Sequence, residues 1–178
     1  MADLIDNKLL NSIRDLLTTT RKKLQQTVNN AMVQTYWNIG RLIVEHELDG
    51  KSRATYGKNQ LEHLSHQLQT DFGKGFDVSN LRNMRQFYLV YSIQETVSPE
   101  LSWSHYCKLM RLDNPNARVW YMNECIEQNW SVRALERQIN ALYYERLLSS
   151  KEKQPLIDEA TQKTLPLKVD VKNYLRDP

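Results

Sequence analysis

Four polar side chains between residues 79 and 86 have types and spacing suited to gripping nucleic acid. Ser79, Arg82, Asn83 and Gln86 stand at i, i+3, i+4 and i+7, which places them on one face of a helix. Arginine contacts phosphate or guanine, asparagine and glutamine match adenine, and serine donates to phosphate. The other face carries Leu81, Met84, Tyr88 and Tyr91, so this helix has one side for a core and one for solvent or a ligand. Arg85 falls nearer the apolar side, which points to a structural role. A plain solvated face has the same polarity, so the stripe by itself leaves both readings open. A second stripe follows Ser131. Arg133, Arg137, Asn140 and Tyr144 lie opposite a predicted core face of Val132, Leu135, Ile139, Leu142 and Tyr143. Two arginines four apart can straddle a phosphate, but Glu136 and Glu145 dilute the charge and favour an ordinary or partner-facing surface.

Catalytic chemistry is poorly represented. His63 and His66 are three apart, yet no carboxylate or third ligand stands at helical spacing beside them, as a metal site requires. His105 and Cys107 are two apart and point differently on a helix, so they are not an activated pair. No phosphate-cradling glycine loop and no G-x-S-x-G motif occurs. The expectation is a chain with no catalytic residue, no metal site and no cofactor of its own. The aromatic and methionine side chains Trp103, Tyr106, Met110, Trp120, Tyr121, Met122 and Trp130 recur at helical spacings and read as core, with base stacking the minor alternative.

Charge narrows the partner class. The net charge is only +3, but six basic and six acidic residues balance in 1–50, and twelve balance twelve in 91–178. The excess falls in 51–90, where Lys51, Arg53, Lys58, Lys74, Arg82 and Arg85 face Glu62, Asp71 and Asp77. Lys58 and Lys74 are therefore candidate phosphate contacts, and DNA is the expected partner, with RNA left open. The acidic start, Met1-Ala2-Asp3-Leu4-Ile5-Asp6, does not fit a signal peptide. No apolar run reaches the ~18 to 20 residues of a membrane span. Cys107 and Cys125 form no C-x-x-C pair and read as small buried hydrophobes. A cytoplasmic protein without membrane contact is expected.

The elements that must position these residues are helices. Leu10, Ile13, Leu17, Leu24, Val28 and Ala31 lead into Tyr36, Trp37, Ile39, Leu42 and Ile43, so residues 1–50 form a long helical segment. One unbroken helix of that length would span ~65 Å, too long for one small domain to cover. Either the β-branched run Thr18-Thr19-Thr20 breaks it, or it projects and pairs with another chain; a homodimer is the favoured outcome. Residues 51–149 read as a helix-turn-helix-like domain. After a loop at Asp49–Gly57, a helix carries Leu61, Leu64 and Leu68 on one face. Phe72-Gly73-Lys74-Gly75-Phe76 turns through two glycines able to take positive φ. Ser79 caps a helix from Asn80 to about Tyr91. Ser102 caps a short one through Leu112, and Asn114-Pro115 opens another ending near Asn129. Ser131 caps the last, Val132 to about Leu148. Periodicity stops near Ser149, so 150–178 reads as a linker, and the stop at Asp177-Pro178 as a point beyond which further chain is expected. No strand signal appears, so the fold class is all-α.

Several runs resemble the YhcG-like family of bacterial nucleases. They are Tyr36-Trp37-Asn38-Ile39-Gly40-Arg41-Leu42-Ile43, Tyr56-Gly57-Lys58, and Phe76 through Tyr88. Leu101-Ser102-Trp103-Ser104-His105-Tyr106 and Asn129 through Ile139 complete the set, spanning residues 10–150. The resemblance implies an all-helical, helix-turn-helix-like N-terminal domain preceding a PD-(D/E)XK nuclease domain. That second domain would begin shortly after a segment like Tyr174–Pro178, and its Mg²⁺-holding carboxylates and lysine are not in this chain. The expectation is a non-catalytic DNA-binding and assembly module of an endonuclease, a hydrolase when complete. The alternative is a helical dimerisation or protein-interaction module without nucleic-acid contact.

Overall fold

The computed structural model describes residues 2–49, 54–91 and 98–164, with side chains at 7–48, 60–91 and 98–163. Among them are eight α-helices and no strand, so the fold is all-α. α1 runs over Ala2–Asp49, α2 over Ala54–Phe72 and α3 over Val78–Val90. α4 covers Trp103–Leu109, α5 Pro115–Glu127, α6 Val132–Asn140, α7 Tyr143–Ser149 and α8 Gln154–Thr164.

α1 is one unbroken helix of 48 residues. Thr18–Thr20 do not interrupt it, and Thr27 and Thr35 return their hydroxyls to the carbonyls of Lys23 (3.0 Å) and Ala31 (2.8 Å). Its C-terminal third docks on α3. Val33 and Trp37 join Phe87 and Tyr91 in one core cluster, and Tyr36 and Ile43 join Leu81 and Met84 in another. The approach is close because residue 40 is glycine: a Cβ there would lie 2.0 Å from the Met84 carbonyl oxygen. Trp37 Nε1 donates to the Tyr91 carbonyl at 2.6 Å, and Arg85 pairs with Glu47 through both carboxylate oxygens at 2.8 and 3.0 Å. The Arg85 side chain is thus structural, as its position near the apolar face implied. The larger cluster continues through Tyr106, Leu109, Tyr121, Cys125, Trp130, Leu135 and Tyr143.

Several local readings are corrected. α2 starts at Ala54, so Ala54–Gly57, expected in a loop, are helical. Of the two turn glycines only Gly73 takes positive φ (89°), because Lys74–Phe76 coil into a 3₁₀ turn. α3 starts at Val78, and its cap is Asp77, whose carboxylate accepts from the Asn80 amide at 2.9 Å; Ser79 lies inside the first turn. α4 stops at Leu109 and α5 at Glu127, each short of the expected end. The helix expected over Val132–Leu148 is two helices, parted at Leu142 in the left-handed region (φ 51°) and exposed, not in the core. A distant phenol accommodates the break. Tyr121 Oη donates to the Gln138 carbonyl at 3.2 Å and accepts from the Tyr144 amide at 3.1 Å.

The stretch read as a linker from residue 150 carries α8. Ala160 is buried, Gln138 Nε2 donates to its carbonyl at 3.3 Å, and Arg146 pairs with Glu159 at 2.6 Å. Arg146 and Lys163 together hold the Glu159 carboxyl down to about 2. Residues 165–178 lie outside the described residues.

Candidate nucleic-acid interface

α2, the 3₁₀ turn and α3 pack together through Leu61, Leu64, Leu68, Phe76, Leu81 and Met84, and side-chain hydrogen bonds tie the turn in place. Ser65, fully buried on α2, donates its hydroxyl to the Phe76 carbonyl at 2.9 Å and accepts from Gln69 Nε2 at 2.7 Å. Asn80 donates from Nδ2 to the Gly75 carbonyl at 2.6 Å, and its Oδ1 accepts from Trp103 Nε1 at 2.9 Å. The turn is thereby fixed to α2 behind it and to α4 beside it. Ser65, Gln69, Asn80 and Trp103 were not singled out as positioning residues. Ser65, between Leu61, Leu64 and Leu68, is a polar residue inside an apolar pattern, the one signal the sequence offered.

On this frame α3 turns Leu81, Met84 and Phe87 inward and leaves Ser79, Arg82 and Gln86 exposed, with Asn83 half-buried beside them. None of these four makes a side-chain hydrogen bond or ion pair among the described residues. The contrast within the helix is sharp: Arg85 is bound to Glu47, while Arg82, three residues earlier, has an uncommitted guanidinium. Lys74 is exposed in the turn leading into α3. Lys58 lies on α2, and its side chain falls outside the described residues. The stripe ends at Leu89, which is exposed.

The α6 stripe is less uniform. Arg133 is exposed and unpaired among the described residues, whereas Arg137 donates to the Lys163 carbonyl at 2.9 Å, capping the end of α8. A cation there satisfies free carbonyls and complements the helix dipole, so Arg137 is partly engaged before any ligand arrives. Glu136, expected to dilute the charge, is paired with Lys108 of α4. Both stripes sit on helices that pack on α4.

Structure also divides the charge of α1, which balances when residues 1–50 are counted whole. Between residues 7 and 32 stand Lys8, Arg14, Arg21, Lys22 and Lys23 against Asp15 alone. This outer stretch is almost wholly exposed.

The remaining titratable groups are structural. His105 is buried, and its Nδ1 accepts from the Ser102 amide at 3.3 Å while Nε2 donates to the Trp130 carbonyl at 3.0 Å. Burial lowers its pKa, so the ring is held neutral. Burial pushes the Cys107 thiol up to about 11 and Cys125 up to about 12, opposite to what a nucleophilic thiol needs. His63 and His66 are exposed on α2, and among the described residues no three His, Cys, Asp or Glu side chains gather as metal ligands. No helix among the described residues is long and apolar enough to cross a membrane.

The described residues thus form an all-helical body in which α3, mounted behind a short turn, keeps a polar face outward. The family is settled by comparison: the chain belongs to the DUF1016 N-terminal domain family, which matches residues 12–146. It is also 35% identical over 176 residues to a protein of Escherichia coli (strain K12) named "Putative nuclease YhcG", covering 81% of this chain and 47% of that protein. The chain thus spans about half the length of the curated relative it matches. No solved structure matches it. The family expected from the sequence motifs is the one found.

Proposed function

We propose that this chain is the non-catalytic DNA-binding and assembly module of a nuclease whose metal-dependent PD-(D/E)XK domain lies in another part of the full protein. The single observation that carries the reading is the uncommitted polar stripe of α3. Arg82, Ser79 and Gln86 project from a helix whose opposite face, turn and cap are all fixed by named contacts. A binding helix pre-set in this way loses little conformational entropy on docking. In a duplex, α3 enters the major groove, with Arg82 on guanine or phosphate and Gln86 and Asn83 on adenine edges. Lys74, Lys58 and Arg133 are assigned to the phosphate backbone, with Arg137 available once its bond to α8 exchanges. The similarity to a protein named as a nuclease supports nucleic acid as the ligand. Mg²⁺ belongs to the chemistry of the nuclease domain, not to this chain. One buried and one half-buried free thiol, both raised in pKa, fit a cytoplasmic setting.

The test is fluorescence anisotropy of a labelled duplex over a salt series. Arg82→Ala weakens binding by ~1 to 3 kcal/mol and, where it meets a phosphate, reduces the slope of log affinity against log salt by about one. Unfolding midpoints stay unchanged, because the side chain has no partner to lose. Competition with double- and single-stranded RNA assigns the nucleic acid. A wild-type chain with no measurable affinity for any of these overturns the reading. The second reading, a homodimerisation or protein-interaction module, then stands on the exposed apolar stripe of α1.

A further inference from the structure

The two ends of α1 bury opposite sides. At 100° per residue, Leu10, Ile13, Leu17, Leu24, Val28 and Ala31 centre about 180° around the helix from Val33, Trp37, Gly40 and Val44. The second set docks on α3; the first is turned away from the folded body. Leu10, Ile13, Leu17, Leu24 and Val28 are 43–56% exposed, about as much as a lone helix allows. Leu42 continues that outer line along the back of the docked part and is also exposed. The molecule's own core therefore lies on the wrong side to cover this stripe. Leu10, Leu17, Leu24 and Ala31 repeat every seven residues with Ile13, Thr20 and Thr27 interleaved, the spacing of a helix–helix seam.

We infer that residues 7–30 of α1 pair with the same residues of a second copy, antiparallel, with Ile13 level with the partner copy's Leu24 and Leu17 level with its Thr20. The inference rests on the assembly part of the function proposed above and adds the occupant, direction and register. Three observations choose this arrangement. In it each layer holds at least one large aliphatic side chain: Leu10 with Thr27, Ile13 with Leu24, Leu17 with Thr20. Thr27 enters such a layer methyl first, since its hydroxyl is bonded to Lys23 within its own helix. A parallel pair would stack Thr20 on Thr20 and Thr27 on Thr27. It would also set both Arg21-Lys22-Lys23 runs at one height, whereas the antiparallel register separates them by seven residues, ~10 Å along the axis and about one Debye length. Finally, the overlap ends just before the folded body begins at Val33, so it uses the exposed stretch and nothing else. A strip ~35 Å long and about 10 Å wide on each copy totals roughly 700 Å², at the small end for a specific interface.

The experiment uses the full chain. Light scattering at ~10 µM, where obligate interfaces persist, is expected to give twice the chain mass of 21.1 kDa. Leu17→Asp with Leu24→Asp gives a single-chain mass with unaltered unfolding of the folded body, because neither side chain touches it. Direction is read by disulfide trapping against a wild-type blank. A mixture of Ile13→Cys and Leu24→Cys chains cross-links as one of each, in greater yield than either variant alone. A monomeric wild type, or a dimer that survives the double aspartate variant, overturns the pairing. Self-linking of Ile13→Cys that equals the mixture overturns the direction. Arg82→Ala keeps the dimer mass, so loss of DNA affinity and loss of pairing are separate results.

Discussion

Residues 7–32 and 33–48 of α1 belong to one helix and carry comparable numbers of aliphatic side chains, yet they live in different surroundings. The inner stretch has Gly40 at its crossing with α3, aromatic partners at Tyr36 and Trp37, and Glu47 bound to Arg85. The outer stretch has leucines at heptad spacing and five cations, and it is almost wholly exposed. The difference teaches that an apolar stripe marks a surface to be covered without saying by what. What distinguishes the inner stretch is the means of close approach, a glycine and flat rings, in place of a repeating seam.

The comparison breaks most severely at Gly40. Gly40→Ala would drive a methyl to 2.0 Å from a backbone oxygen, and the main chain of a packed helix cannot yield cheaply. A loss of about 3 kcal/mol or more is expected in urea unfolding followed by tryptophan fluorescence, a probe suited to the body because all four tryptophans lie at or beyond residue 37. Ala31→Gly, the reverse change in the outer stretch, should cost only the ~0.5 to 1 kcal/mol of helix propensity. The next contrast is between two large apolar residues. Met84→Ala removes a fully buried side chain and should cost ~2 to 5 kcal/mol. Leu17→Ala should leave the same transition within ~0.5 kcal/mol in a monomeric background, as surface changes do. If both shift the transition alike, the outer stretch is packed on the body and the two-region description fails.

A smaller contrast tests how α3 is held. Asp77→Ala removes the cap and should cost ~1 kcal/mol, while Ser79→Ala should cost less than ~0.5. The reverse order would restore Ser79 as the cap. The mildest effect is one of pH. His105 is lowered by burial, so the unfolded chain takes up its proton first on acidification. Stability should decline as pH falls from about 7.5 to 6, through the ordinary histidine range, and be fully present above it. His105→Gln should flatten that decline, measured as the unfolding midpoint against pH.

Much of the molecule was legible because helices declare themselves locally. The all-α class, the inward Leu81–Met84 face and the structural role of Arg85 follow from spacing within a few turns, and the family follows from the resemblance of whole runs. The misses have longer reach. Nothing near Leu142 announces a break, since the groups that accommodate it belong to Tyr121, some twenty residues earlier. α8 is mostly polar and carries Pro155 in its first turn, and it forms where Gln138 and Arg146 receive it. Asp77 and Ser79 are both good caps, and the choice falls to a turn that Ser65 and Asn80 pin from either side. Of the candidate contacts, spacing identified which residues share a face. That Arg137 ends at α8 while Arg82 ends nowhere depended on tertiary neighbours.

Because α1 passes through Thr18–Thr20 without a break, it carries orientation as well as position from one end to the other. An inserted residue between Leu24 and Val33 would turn everything before it by about 100° relative to the body, swinging the leucine line off its own side of the molecule. Seven inserted residues would turn it by only about 20° and lengthen the arm by ~10 Å. Length change in this part of the gene is therefore quantised: single-codon gains and losses are disruptive, and whole heptads are tolerated.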